Sequence, residues 1–317
     1  MALLLREQDV LNLVGIGDAL EATELALRGI ATGEAKNQPR QRVSAPPATL
    51  HLLAAAVPTL DALGFKVYSA VPGRARFAVW LYRQSTGELL AIIEADWLGR
   101  LRTGAASGVA TKYLAREDAQ TLGVFGSGGQ AQTQIEAVAS VRTLTTVLVY
   151  SRTSDPLVDF CSRMTAKLNV PVRPAPPEEV ARQEIVCTIT TSNRPVLKGA
   201  WIQEGSHINA AGANWAAKRE LDDDVLRRAT IITCDDPVQA GFEAGDLIEP
   251  IQAKVISWDQ VHPLGEVLIG RLKGRKVGTD ITLFKSLGIG AEDVAFAARI
   301  YDRAVAGNVG ERVNILE

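Results

Sequence analysis

Thr121-Leu-Gly-Val-Phe-Gly-Ser-Gly-Gly-Gln-Ala-Gln-Thr-Gln-Ile-Glu-Ala-Val138 is the stretch whose reading decides the fold. An apolar run, a glycine turn and an amphipathic run follow in order, as a buried strand, a tight loop and a helix would. Gly126, Gly128 and Ala131 fit the G-x-G-x-x-A form of the dinucleotide fingerprint. In that motif the first glycine allows a sharp turn and the second lets backbone amides approach a pyrophosphate. The small third residue lets the helix pack close to the strand. The helix N-terminus then offers unpaired N–H groups to the phosphates. A second strand-like run, Thr146-Val-Leu-Val-Tyr150, follows at βαβ distance.

Working outward, 317 residues suggest about two domains. Hydrophobic residues make up 47% and charged residues 22%, enough for an ordinary packed core. A net charge of −2 argues against a nucleic-acid surface. The opening Met-Ala-Leu-Leu-Leu is too short an apolar run for a signal peptide, and no window reaches the length of a membrane span. Cys161, Cys187 and Cys234 are odd in number and lack CxxC spacing. Buried reduced thiols and a cytoplasmic location are therefore expected. His51, His207 and His262 are scattered, so no metal site is expected.

Residues 8–33 have helical spacing, and 34–48 read as loop or extended edge. Strand-like runs follow at Thr49–Leu53, Gly64–Ser69, Arg76–Tyr82 and Glu88–Glu94, without helices between them, which suggests an antiparallel or mixed sheet. Arg102 to Leu114 reads as a small-residue helix. From about residue 118 strands and helices alternate, with strands expected at 121–125, 146–150, 184–189, 206–211, 230–234 and 254–256. Ala291 to Ala306 is an amphipathic helix. The expected class is α/β: a Rossmann-type doubly wound parallel sheet over 118–279, and a smaller α+β domain over 1–117 to which the segment 280–317 returns.

Several motifs together resemble the ornithine cyclodeaminase/mu-crystallin family. They are Gly64-Phe-Lys, Leu101-Arg-Thr-Gly-Ala-Ala-Ser, Gly126-Ser-Gly-Gly-Gln-Ala, His207-Ile-Asn-Ala-Ala-Gly, Lys218-Arg-Glu-Leu-Asp, Glu243-Ala-Gly-Asp and Phe284-Lys-Ser-Leu-Gly. The resemblance runs from about residue 36 to 293. It implies a homodimer whose substrate and dimerisation domain is built from both chain ends.

It further implies that Arg40, Lys66 and Arg102 bind a substrate carboxylate, with Arg42 the alternative to Arg40. The chemistry suits them: Arg offers a planar fork to a carboxylate, and Lys adds a movable charge or proton donor. Cofactor contacts carry over to Gly126, Gly128, Gly129, Gln130, Ala131, Thr190, Ala211, Gly212, Ala213, Lys218 and Ser286. Two positions depart from the cyclodeaminases. Their catalytic Asp is Asn214 here, and an amide cannot cycle a proton at neutral pH. A Glu that handles their substrate amine aligns with His51.

The expected activity is therefore NAD(P)H-dependent reduction of an imino acid, cyclic or formed from a 2-oxo acid and an amine. Lys66, Arg102 and Asn214 are the expected catalytic residues, and Lys66, His51 or a water the proton donor. Ornithine cyclodeaminase, alanine dehydrogenase-like and mu-crystallin-like binding activities are the alternatives. After the second strand, Ser151-Arg152-Thr153 stands where NAD-selective domains place an acidic residue. A hydroxyl and a guanidinium can both donate to a 2′-phosphate, so NADPH is expected to be preferred, with NADH possible. Asp155 is the competing carboxylate.

Overall fold

The computed structural model describes residues 1–315, apart from the side chains of Ser154 and Asp155. It divides into two compact units. One holds Met1–Arg102 and the chain from Gly288 onward, and the other holds Thr103–Leu287.

The Thr103–Leu287 unit is an eight-stranded sheet, parallel throughout. Its order is Val172–Pro174, Thr146–Tyr150, Thr121–Phe125, Ile185–Thr188, His207–Ala210, Thr282–Lys285, Ile231–Cys234 and Val261–Pro263. The central strands are buried almost throughout, polar residues included, as in a parallel sheet covered on both faces. The chain steps outward from Thr121–Phe125 in one direction, then crosses back to Ile185–Thr188 on the other side. That reversal is the topological switch point, where ligands bind outside the strand ends. Gly126 has φ +114, and a Cβ there would overlap the Ile189 carbonyl, so the turn admits only glycine.

The other unit has a sheet ordered Glu311–Val313, Ala2–Leu5, Leu89–Glu94, Arg74–Arg83, Ala62–Val71, Ala48–Val57 and Lys36–Asn37, with Gln41–Ala45 also paired to Ala48–Val57. All pairs are antiparallel except Ala2–Leu5 with Leu89–Glu94. The helix Gly290–Gly307 packs on one face, against the strands Ala48–Val57 and Ala62–Val71, and on the helix Ile16–Thr32. Alternation along the long strands sends Leu53, Lys66 and Val79 to that face, where they are buried. The opposite face carries Leu50, Leu52, Phe65, Val67, Trp80 and Tyr82.

Four expectations need correction. No strand forms at 254–256. The helix Gly245–Gln252 ends there in a turn with Lys254 at φ 58, and the Val255 N–H closes on the Pro250 carbonyl at 2.8 Å. The strand lies later, at Val261–Pro263. The helix expected over 8–33 is two, Glu7–Leu13 and Ile16–Thr32, because the Gly15 N–H is capped by Asp18 at 3.2 Å and starts a new helix. The helix expected from Arg102 begins at Asp96, so Arg102 lies in its second turn.

The division between units also falls elsewhere, after 102 and after 287. Residues 103–114 belong with the parallel sheet. Asn209 donates to the Thr111 hydroxyl at 2.9 Å, and Gln134 donates to the Thr103 carbonyl at 3.1 Å. Thr282–Lys285 is a strand of that sheet rather than part of the returning tail. The return begins at Gly288.

Candidate active site

Three cations converge on one face of the antiparallel sheet. Lys66 sits mid-strand at 3% exposure, Arg102 at 6% and Arg40 at 8%. Lys66 Nζ donates to Asp293 Oδ1 at 3.0 Å, and Arg102 Nε donates to the same oxygen at 2.9 Å. A second Arg102 nitrogen pairs with Glu292 at 3.5 Å. Both carboxylates come from the first turn of Gly290–Gly307 and are fully buried. Arg40 donates to the Tyr68 hydroxyl at 2.8 Å and to the Gly288 carbonyl at 3.0 Å. Gly288 has φ +73, and a Cβ on it would overlap the Arg102 guanidinium. Arg40, rather than the half-buried Arg42, therefore joins Lys66 and Arg102 around this segment.

Three buried cations and two buried carboxylates meet here, in a largely dry place. Burial pushes the Lys66 amine down to about 8, with Asp293 opposing that fall. Burial alone would raise the Asp293 carboxyl, but Arg102 and Lys66 outweigh it and hold Asp293 below the usual carboxylate range. The next cross-strand row is Arg42, His51, Tyr68 and Phe77. His51 stacks on Tyr68 at 4.1 Å, and Tyr68 meets Phe77 at 4.9 Å. Burial, then Arg42 and Arg40, push the His51 imidazole down to about 4, so it is neutral at pH 7. This row contains no carboxylate.

In the parallel-sheet unit a cavity of about 180 Å³ lies at the strand ends. Gly126, Gly128, Ser151, Arg152 and Thr190 line it, together with Phe125, Ser127, Tyr150, Ile189, Thr191, Ser192 and Val196. A Cβ on Gly128 would meet no protein atom, so the turn keeps its approach open. The Ala131 N–H closes on the Gly128 carbonyl at 3.0 Å and starts the helix Ala131–Val141 after Gly129 and Gln130. Ala211, Gly212 and Ala213 follow the neighbouring strand, and Glu220 links Thr190 to Gly212 and Ala213. Lys218 and Asn214 are half-buried on the same loop. Ser286 is buried, and its N–H donates to the Ala210 carbonyl at 3.0 Å. Thr153, Ala211, Gly212, Ala213, Lys218 and Ser286 are not among the lining residues of this cavity.

Sequence reasoning missed the carboxylates that set these charges. Glu292 and Asp293 read as ordinary acidic residues at a helix start. Glu220, Asp246 and Lys285 lie inside the motifs Lys218-Arg-Glu-Leu-Asp, Glu243-Ala-Gly-Asp and Phe284-Lys-Ser-Leu-Gly, but spacing alone gives them no role. Only Asp246 and Lys285, each next to an apolar run, carried a signal; Glu220 lies in a charged run.

A family model described as the ornithine cyclodeaminase/mu-crystallin family matches residues 2–308. Among solved structures, a Thermococcus litoralis Delta(1)-pyrroline-2-carboxylate reductase in complex with NADH and L-proline is 34% identical. It superposes with a TM-score of 0.94, covering 98% of this chain and 100% of that one. An archaeal alanine dehydrogenase dimer with bound NAD is 32% identical, with a TM-score of 0.94 and 99% of each chain covered. The iminosuccinate reductase of Paracoccus denitrificans, in complex with NAD+, is 28% identical, with a TM-score of 0.94 and 99% of each chain covered. With both units matched end to end, this chain belongs to the ornithine cyclodeaminase/mu-crystallin family.

Proposed function

We propose that this protein is an NAD(P)H-dependent reductase of imino acids, cyclic or formed from a 2-oxo acid and an amine. The observation that carries the reading is the convergence of the buried cations Arg40, Lys66 and Arg102 on one face of the antiparallel sheet. Their charges and geometry suit a substrate carboxylate. Solved relatives that hold NADH with L-proline, and NAD+ in an iminosuccinate reductase, support the same class.

The open glycine turn at Gly126–Gly128 and the cavity beside it suit a dinucleotide. A bound nicotinamide supplies the hydride that the imine carbon accepts. Arg40 and Arg102 hold the carboxylate and orient the C=N bond. Lys66 Nζ, poised by burial near neutrality, gives the proton that the reduced nitrogen gains. Asn214 positions by hydrogen bonding, because its amide cannot cycle a proton.

His51, Tyr68 and Phe77 offer no carboxylate to a substrate ammonium, which speaks against ornithine. Purified protein given L-ornithine and NAD+ should release no ammonia above background. Ammonia at enzymatic rates would overturn this reading.

NADPH is the proposed preferred cofactor, with NADH as the lesser alternative. Ser151 and Arg152 line the cavity, and none of its lining residues is acidic. Asp155, the competing carboxylate, has its side chain outside the described part of the structure.

The protein is further proposed to be a homodimer. The sheet face bearing Leu50 (47% exposed), Leu52 (37%), Phe65, Val67, Trp80 and Tyr82 is a continuous apolar surface that a second copy would cover. Leu52→Asp should produce a monomer by light scattering, where the parent chain is a dimer at micromolar concentration. A monomeric parent would contradict the assignment. Cys161, Cys187 and Cys234 are buried and unbridged, in keeping with the proposed cytoplasmic location, which cell fractionation checks.

A further inference from the structure

The parallel-sheet unit holds a buried carboxylate that the substrate clamp and the hydride step do not use. Glu220 is fully buried. Its Oε1 accepts from the N–H and the hydroxyl of Thr190, both at 2.7 Å. Its Oε2 accepts from the Thr188 hydroxyl at 2.9 Å, the Gly212 N–H at 2.7 Å and the Ala213 N–H at 3.2 Å. All five donors are neutral. Three are backbone N–H groups that can only donate, and together the five favour the ionised carboxylate against burial and Asp246, which push the Glu220 carboxyl up. A protonated carboxyl could place its O–H only on the Thr188 or Thr190 hydroxyl.

Beside it, Asp246 accepts from the N–H groups of Glu220 and Leu221 at 2.7 and 3.0 Å. Its other oxygen pairs with Lys285 Nζ at 3.0 Å. Asp246 and Lys285 cancel each other, and Glu220 remains as an excess negative charge.

Its place in the fold gives that charge a target. In a doubly wound sheet each half of a dinucleotide lies over one side of the switch point. Thr146–Tyr150, with Ser151 and Arg152, belongs to the adenosine side. Ile185–Thr188 and His207–Ala210 belong to the nicotinamide side. Glu220 ties together the residues that follow those two strands, and Thr190, which it holds directly, lines the cavity. A charge buried among neutral partners is screened little by salt.

We infer that Glu220 tunes the site electrostatically toward the oxidised cofactor, stabilising the cationic nicotinamide ring over the neutral reduced ring. Glu220 touches neither ligand. It acts through its field and through Thr190, Gly212 and Ala213. The inference rests on the nicotinamide reading given above.

The test is the ratio of dissociation constants for NADP+ and NADPH, measured by calorimetry on the full chain. Glu220→Gln should raise the NADP+ to NADPH ratio about tenfold, the scale of one unit charge acting across a site at an effective dielectric of ~20. Glu220→Asp keeps the charge and should leave the ratio near the parent value, even if both ligands bind more weakly. Asp246→Asn removes a neighbouring negative charge while its side-chain oxygen still accepts the two N–H bonds, and should raise the ratio in the same direction. Equal weakening of both cofactors in Glu220→Gln would make Glu220 purely structural and overturn the inference. If that variant does not fold, an unchanged ratio in Asp246→Asn overturns it instead. Failure of the parent chain to bind NADP(H) and NAD(H) alike would refute the nicotinamide reading itself, a different result from binding with an unshifted ratio.

Discussion

The two units each bury a cluster of charges, and the clusters are finished differently. In the antiparallel-sheet unit, three buried cations, Arg40, Lys66 and Arg102, stand around Asp293 and Glu292. In the parallel-sheet unit, Glu220 accepts from five neutral donors and Asp246 forms an ion pair with Lys285. On the proposed reading the first cluster takes up a ligand's charge directly. The second holds its loops in place and acts on a ligand only through its field.

The contrast breaks most visibly under truncation. Glu220→Ala leaves three backbone N–H groups unpaired and should cost about 3 kcal/mol or more of stability, read from chemical denaturation. Lys66→Ala and Arg102→Ala should instead lower kcat/KM by about 2–4 kcal/mol in transition-state terms, with NADPH affinity changed less for Lys66→Ala. A Lys66→Ala enzyme with normal turnover would show that the clamp is misplaced. A Glu220→Ala chain as stable as its parent would erase the distinction between the clusters.

The pH profile sharpens the comparison. Lys66 is protonated below about 8 in the free enzyme. Reductive kcat/KM should therefore hold at lower pH and fall about tenfold per unit above that value. Asp293→Asn removes the anion that opposes the effect of burial, so the Lys66 amine drops further and the fall begins at lower pH. Protonation of the imine itself affects both enzymes alike, so the displacement between their profiles is the readout. No displacement would disconnect Asp293 from the proton donor.

The smallest effect belongs to Arg152, which is exposed. Arg152→Ala should cut the preference for NADPH over NADH several-fold, up to about tenfold. A parent enzyme that uses both cofactors equally would remove the preference altogether.

Much of the parallel-sheet unit was legible in the sequence. Its strands at 121–125 and 146–150 are period-free apolar runs bounded by turns, and Gly126 marks a backbone conformation only glycine adopts readily. Lys66 and Arg102 were singled out by the family resemblance through Gly64-Phe-Lys and Leu101-Arg-Thr, where charges inside apolar elements also demand partners, while Arg40 stood open against Arg42. The partners themselves were not legible. Asp293 lies 227 residues from Lys66, and no local pattern announces that a returning helix will set it there. The strand misread at 254–256 has a similar cause: Ile256 is apolar because it packs in the core, not because it pairs in the sheet.

The central claim is that the Lys66, Arg102 and Arg40 group selects an imine by its carboxylate. The most direct test compares NADPH consumption with Delta(1)-pyrroline-2-carboxylate and with the same cyclic imine lacking the carboxylate. The account predicts turnover of the first and none above background of the second. Equal turnover of both, or of neither alongside ammonia release from L-ornithine, would contradict it.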